Sequence, residues 1–146
     1  MIFSHIHHKN MKSSSAIIKS ALDVLNIEIS GVKLVKRTFD SNFVAAIKEL
    51  SKTKGRVIIT GIGKSGHIAN KIASTMSSTG TAAQFCHSNE MSHGDLGILS
   101  SKDILIIISN SGNSSELKDA ISFSKKNKIK TIGISSNIKS ELMQSV

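Results

Sequence analysis

A three-layer α/β sandwich, with a parallel sheet between helices and further helices ahead of it, is the fold class this sequence predicts. Three observations point there. Short apolar runs, most of them rich in β-branched residues, recur at Arg56–Thr60, Ala82–Cys86, Asp103–Ile108 and Lys130–Ile134, as expected of strands buried on both faces. Stretches with apolar residues at helical spacing lie between them, so the connections have the length of crossovers rather than hairpins. The runs also end in loops dense in glycine, serine, asparagine and histidine. Right-handed crossovers of this kind build a parallel sheet with helices on both faces, and ligands in such sheets sit beyond the C-terminal strand ends.

Residues 1–12 show no helical or strand period and are expected to form a disordered tail. His5, His7 and His8 lie in that tail without the supporting shell a metal site needs, so no metal is expected there, and Met11 is a second candidate start. Residues 13–54 read as two helices. From about Ser13 to Val35, Ile17, Ile18, Ala21, Leu22 and Leu25 recur at helical spacing, with Gly31 weakening the pattern. The second helix, Asp40 to Ser51, opens on an Asp or Ser cap and places Phe43, Ala46, Ile47 and Leu50 on one face. These apolar stripes need cover, either from the sheet domain or from a partner subunit.

Residues 55–146 hold the sheet domain. Its first strand runs into Gly61-Ile-Gly-Lys-Ser-Gly66, and the helix that follows aligns Ile68, Ile72 and Met76, with Ala69 and Ala73 allowing close approach to the sheet and Gly80 placed to end it. The second strand opens into the polar loop Cys86–Asp95, the densest cluster of titratable groups in the chain. After the third strand come Ser109-Asn-Ser-Gly-Asn-Ser-Ser-Glu116 and a helix with Leu117, Ala120 and Ile121 inward. The fourth strand precedes another helix expected from about Asn137. A fifth strand would normally follow, so the domain is expected to be C-terminally incomplete.

Composition narrows the function classes. A chain of 146 residues with 39% apolar content suits one domain with a core. No apolar run approaches the roughly 20 residues of a membrane span, and the N-terminus lacks a secretory core and cleavage site, so a cytoplasmic protein without a membrane partner is expected. The single cysteine, Cys86, agrees with a reducing compartment. The net charge of +9 lies in the flanks: residues 1–56 carry ten Lys/Arg against four Asp/Glu, residues 57–108 three against three, and residues 109–146 six against three. With no tryptophan or tyrosine and five phenylalanines, base stacking is poorly supplied, and no nucleic-acid partner is expected.

The loops carry the chemistry. Four serines and a glycine in the third loop can turn hydroxyls and backbone N–H groups toward one point at a helix N-terminus, where a phosphate monoester is attracted. Ser109, Ser111 and Ser114, with Ser65 on the neighbouring loop, are the candidate cradle; ordinary turn and cap roles are the alternative for each. Gly61-Ile-Gly-Lys-Ser-Gly66 fits G-x-G-x-x-G, yet the second strand ends in Cys86 and His87 instead of a ribose-binding acid. A P-loop fails because Ile58 stands where a glycine is required. Lys64 beside Gly63 adds a cation suited to a compact phosphorylated substrate. Asn113-Ser-Ser-Glu116 also reads as a capping box, with Glu116 reaching back to the Asn113 N–H. His93, His87 and Asp95 line the second loop, and imidazole is suited to proton transfer near neutral pH.

Together, Gly61-Ile-Gly-Lys-Ser-Gly-His67, His87-Ser-Asn-Glu-Met-Ser-His-Gly-Asp-Leu-Gly97 and Ser109–Glu116 resemble the sugar isomerase (SIS) domain of arabinose-5-phosphate isomerases, over roughly Asp40 to Ile134. The resemblance implies a flavodoxin-like SIS fold and an aldose–ketose isomerase that interconverts D-ribulose 5-phosphate and D-arabinose 5-phosphate for lipopolysaccharide synthesis, without a cofactor. It implies catalytic roles for Lys64, His93 and Glu116, a phosphate cradle of Ser65, Ser109, Ser111 and Ser114, and a homo-oligomer, dimer or tetramer, with sites near subunit contacts. His87, Asp95 and Gly63 are further pocket candidates. Family members usually continue through another stretch of sheet with a further active-site histidine and end in paired CBS modules, so a truncated member without CBS modules is expected. The loop reads His87-Ser-Asn-Glu90 where the family usually has a proline and a small residue. Two alternatives remain: a phosphosugar-binding module without turnover, and a dinucleotide-binding domain.

Overall fold

The computed structural model describes residues 13–146; the expectations for residues 1–12, including His5, His7, His8 and Met11, lie outside the described residues. The chain divides into two compact units, Met1–Val44 and Ala45–Val146.

In the first unit, helix α1 spans Ser14–Val35 and is capped by Ser13, whose Oγ accepts the Ala16 N–H at 3.3 Å. It runs through Gly31 without a break, because a single glycine costs about 1 kcal/mol against alanine, too little to end a long helix. None of its residues is buried, and Ile18, Leu22, Leu25 and Val32 are all exposed. Asp40 starts helix α2 (Ser41–Lys52), most of which, from Ala45 on, belongs to the second unit; Asp40 Oδ1 accepts from the Asn42 and Phe43 N–H groups at 2.9 and 3.0 Å. That is the cap expected from the sequence.

The second unit is a parallel four-stranded sheet, β1 (Val57–Gly61), β2 (Ala83–Phe85), β3 (Ile104–Ile108) and β4 (Lys130–Ile134), in the order β2-β1-β3-β4. Alternation along β1 and β3 feeds two cores. Val57, Ile59, Ile104 and Ile106 face helix α3 (Lys64–Ser78) through Ala69 and Ala73, with Leu50 of α2 beside them. Ile58, Leu105 and Ile107 face the opposite layer, made by the short helix α4 (Ser88–Ser92) and helix α5 (Lys118–Lys126) through Met91, Leu117, Ala120 and Ile121. Each isoleucine buried this way contributes about 1.5–3 kcal/mol. This is the three-layer sandwich predicted from the runs.

Helix α3 ends as its sequence indicates. Gly80 takes a positive φ of 94°, its N–H donates to Ser77 O at 3.2 Å, and the Thr81 N–H donates to Met76 O at 2.9 Å, the two bonds of a Schellman stop. At the other end Gly66 lies against β1: a Cβ on it would meet Gly61 O at 2.9 Å. Two expectations need correction. The polar stretch after β2 is not an open loop but forms α4 and a 3₁₀ turn, Asp95–Ile98. The helix expected from Asn137 is replaced by consecutive turns, in which Leu142 is fully buried and its N–H is committed to Gly112 O at 3.0 Å.

Candidate functional site

Strand order places the reversal of chain direction between β1 and β3, since β2 follows β1 on one side and β3 returns on the other. A crevice opens there at the carboxyl ends. It is a cleft of about 280 Å³ lined by Ile62 and Ser65 from the turn after β1, and by Ile108, Ser109, Asn110, Ser111, Ser114 and Leu117 from the end of β3 onward. All four serines proposed for the cradle therefore share one cleft. Two of the hydroxyls are already oriented: Ser109 Oγ accepts the Gly112 N–H at 3.1 Å and Ser111 Oγ accepts the Asn113 N–H at 3.3 Å. Each hydroxyl keeps its own proton free to donate to an anion. Gly112 takes φ 68°, and a Cβ there would run into Ser140.

Lys64, Glu116 and His93 do not line this cleft. Lys64 is the first residue of α3, Glu116 lies in the 3₁₀ turn Ser115–Leu117, and His93 caps the C-terminus of α4. Each is exposed, and each follows the carboxyl end of a different strand, β1, β3 and β2. The three thus belong to one edge of the sheet, and α4 packs against the turn that carries Glu116. Gly63 is the N-cap of α3, with φ 54°. His87 caps α4, its Nδ1 accepting the Asn89 N–H at 3.3 Å. Asp95 opens the next 3₁₀ turn, and its Oδ2 lies 3.9 Å from Cys86 Sγ. Burial, followed by the charge and hydrogen bond of Asp95 and the charge of Glu90, pushes the Cys86 thiol up to about 11, so it stays protonated and is a poor nucleophile.

The capping box expected of Asn113 and Glu116 does not form. Ser114 is the N-cap without a side-chain bond, Asn113 Oδ1 accepts the Glu141 N–H at 2.8 Å, and Glu116 Oε2 accepts from Ser115 Oγ at 3.1 Å. Glu116 is left free of a capping duty. Two contributors lack a sequence signal. Asn110 lines the cleft between the two serines that flank it, its place in the loop being the only hint. Thr60 and Ser88, both fully buried, share a hydroxyl hydrogen bond of 3.0 Å that ties the end of β1 to the start of α4. Ser88 stands where the resembled family usually has proline.

The SIS domain family matches residues 49–145. The chain belongs to the SIS domain family. Within it, the chain is 45% identical over 133 residues to arabinose 5-phosphate isomerase KdsD of Francisella tularensis, covering 89% of this chain and 41% of that protein. It is 44% identical over 119 residues to KdsD of Yersinia pestis, covering 82% and 36%. The chain thus spans about two fifths of the length of these curated relatives. Among solved structures, c3406 of E. coli CFT073 in complex with arabinose 5-phosphate superposes with a TM-score of 0.87 at 35% identity, over 92% of this chain and 71% of that one. The SIS fold shared with it contains the parallel sheet and both helical layers described above. Among the described residues no helix is long and apolar enough to cross a membrane.

Proposed function

We propose that the chain is a sugar-phosphate aldose–ketose isomerase domain acting on D-ribulose 5-phosphate and D-arabinose 5-phosphate. The observation that carries this reading is the cleft at the strand reversal, with four serine hydroxyls from two neighbouring loops. Arabinose 5-phosphate is the substrate that the KdsD relatives are named for, and D-ribulose 5-phosphate is the ketose that shares its 1,2-enediol. A phosphate dianion in the cleft would receive hydroxyls of Ser65, Ser109, Ser111 and Ser114 and lie near the N-terminal ends of α3 and of the turn leading into α5, where helix dipoles favour negative charge. The sugar would then extend across the carboxyl edge toward the elements that carry Lys64, His93 and Glu116.

The reaction moves protons only. A base removes a proton from C1 of the ketose, an enediol forms, and a proton is delivered to C2 while the hydroxyl proton passes between O1 and O2. Glu116, without a capping bond, serves as the carbon base, His93 moves the hydroxyl proton, and Lys64 offsets the developing oxyanion charge. The exchange is redox-neutral, so no cofactor is required. His87 caps α4 beside the site, and Asp95 opens the turn that follows. The exposed apolar residues of α1 support a homo-oligomer in which that helix is covered by a second copy. The same reading places the chain in lipopolysaccharide synthesis, in the cytoplasm.

A second reading, a phosphosugar-binding module without turnover, is favoured by one observation: the serines line the cleft and the three proton-transfer candidates do not. Calorimetry with D-ribulose 5-phosphate, run beside an assay for D-arabinose 5-phosphate, separates the two. Binding with product formation supports the isomerase. Binding with no product supports the module, and no binding contradicts both.

A further inference from the structure

The serine loop is fastened from behind by the turns that follow β4. Asn110 O accepts the Ser136 N–H at 3.2 Å, Ser136 Oγ at 2.7 Å and Ser135 Oγ at 3.1 Å. Gly112 O accepts the Leu142 N–H, and Asn113 Oδ1 accepts the Glu141 N–H at 2.8 Å. Ser140 and Leu142 are buried, and Ser140 sits where a side chain on residue 112 would have to go. In this set Asn113 is the residue whose side chain reaches out of the loop, the other loop acceptors being backbone carbonyls. Asn113 does not line the cleft.

We propose that Asn113 is a positioning residue for anion binding: by accepting the Glu141 N–H it clamps the Ser109–Ser114 loop to the turn after β4 and holds the cradle in its binding geometry. The proposal rests on the reading of the cleft as a phosphate site. The Ser111 hydroxyl accepts from the Asn113 N–H, so a shift of Asn113 is passed directly to a cradle hydroxyl. An anion binds tightly to donors whose ordering is complete before it arrives, and loosening one end of the loop moves that ordering cost into the binding step.

The test is titration of the full chain with D-ribulose 5-phosphate, comparing wild type, Asn113→Ala and Glu141→Ala, with amide exchange at Glu141 followed in parallel. Asn113→Ala is expected to weaken binding roughly fivefold to tenfold, to raise KM with kcat nearly unchanged, and to speed exchange at the Glu141 amide. Glu141→Ala keeps the N–H and removes only the exposed pair with Lys118, so its affinity is expected to match wild type. Equal affinity of Asn113→Ala and wild type overturns the clamp while leaving the phosphate site standing. Weakening by Glu141→Ala equal to that by Asn113→Ala also overturns it, since the side-chain pair would then be the tie. Absence of binding by wild type overturns the phosphate site and the clamp together.

Discussion

Cys86 sits at the end of β2, buried and facing Asp95, beside the elements that hold the site, and its chemistry follows from that setting. With the thiol pushed up to about 11, thiolate is scarce at neutral pH. Alkylation of the native chain by iodoacetamide is expected to be slow at pH 8 and to accelerate as the pH approaches 11, whereas in denaturant the rate rises near pH 9. Mass spectrometry at a series of pH values checks this; rapid native labelling at neutral pH would contradict it. Ser111 illustrates the opposite setting, an exposed hydroxyl fixed by the neighbouring N–H and lining the cleft. Ser111→Ala is expected to weaken D-ribulose 5-phosphate binding about fivefold to tenfold, read by calorimetry, with little change in melting temperature.

At the scale of elements, two buried ties set how loops meet the sheet. Asp103, 3% exposed, joins the starts of β1 and β3: its carboxylate accepts the Arg56 N–H at 2.6 Å and the Ser100 N–H and Oγ at 2.8 and 2.9 Å, with the Arg56 guanidinium 3.6 Å away. Burial alone would raise its pKa, but these hydrogen bonds and the arginine charge outweigh it and hold the carboxyl below its ordinary value of 3.8. A carboxylate depressed on folding contributes stability that is complete above the unfolded value and is lost as the pH falls through the folded one. Asp103→Ala is therefore expected to cost about 2–3 kcal/mol at pH 7 and to cost progressively less as the pH falls below 3.8, measured by urea unfolding. An unchanged difference at low pH would contradict the assignment. The second tie is Thr60–Ser88, and Thr60→Val, which leaves the Ser88 hydroxyl buried without that partner, is expected to cost about 1–3 kcal/mol. These ties explain what could be read from the chain and what could not. The strand β4 was legible because a β-branched run bounded by polar residues needs no other information, and the Ser13, Asp40 and Gly80 boundaries because caps and stops are local. Helix α4 was not legible, since five residues burying Ser88 and Met91 are too short to show a period. The capping box failed because a partner 28 residues away claims Asn113, and the helix after Asn137 failed because its backbone is committed to the serine loop.

At the scale of the molecule, the net charge of +9 lies away from the three loops, residues 57–116 carrying three Lys/Arg against four Asp/Glu, so the proposed anion site draws on oriented donors and Lys64 rather than on a basic field. Helix α1, with its apolar residues exposed, is the surface proposed for the contact between copies. Leu22→Asp combined with Leu25→Asp is expected to shift the sedimentation of the protein toward a smaller species; an unchanged value would remove α1 from the contact. The cradle, the strand reversal and the SIS family together make sugar-phosphate isomerisation the central claim, with Glu116 as its proton carrier. The most direct measurement is the rate of D-arabinose 5-phosphate formation from D-ribulose 5-phosphate by wild type and by Glu116→Gln. The account predicts product from wild type and a fall of about 10²–10⁴ in the variant; equal rates, or no product from wild type, would contradict it.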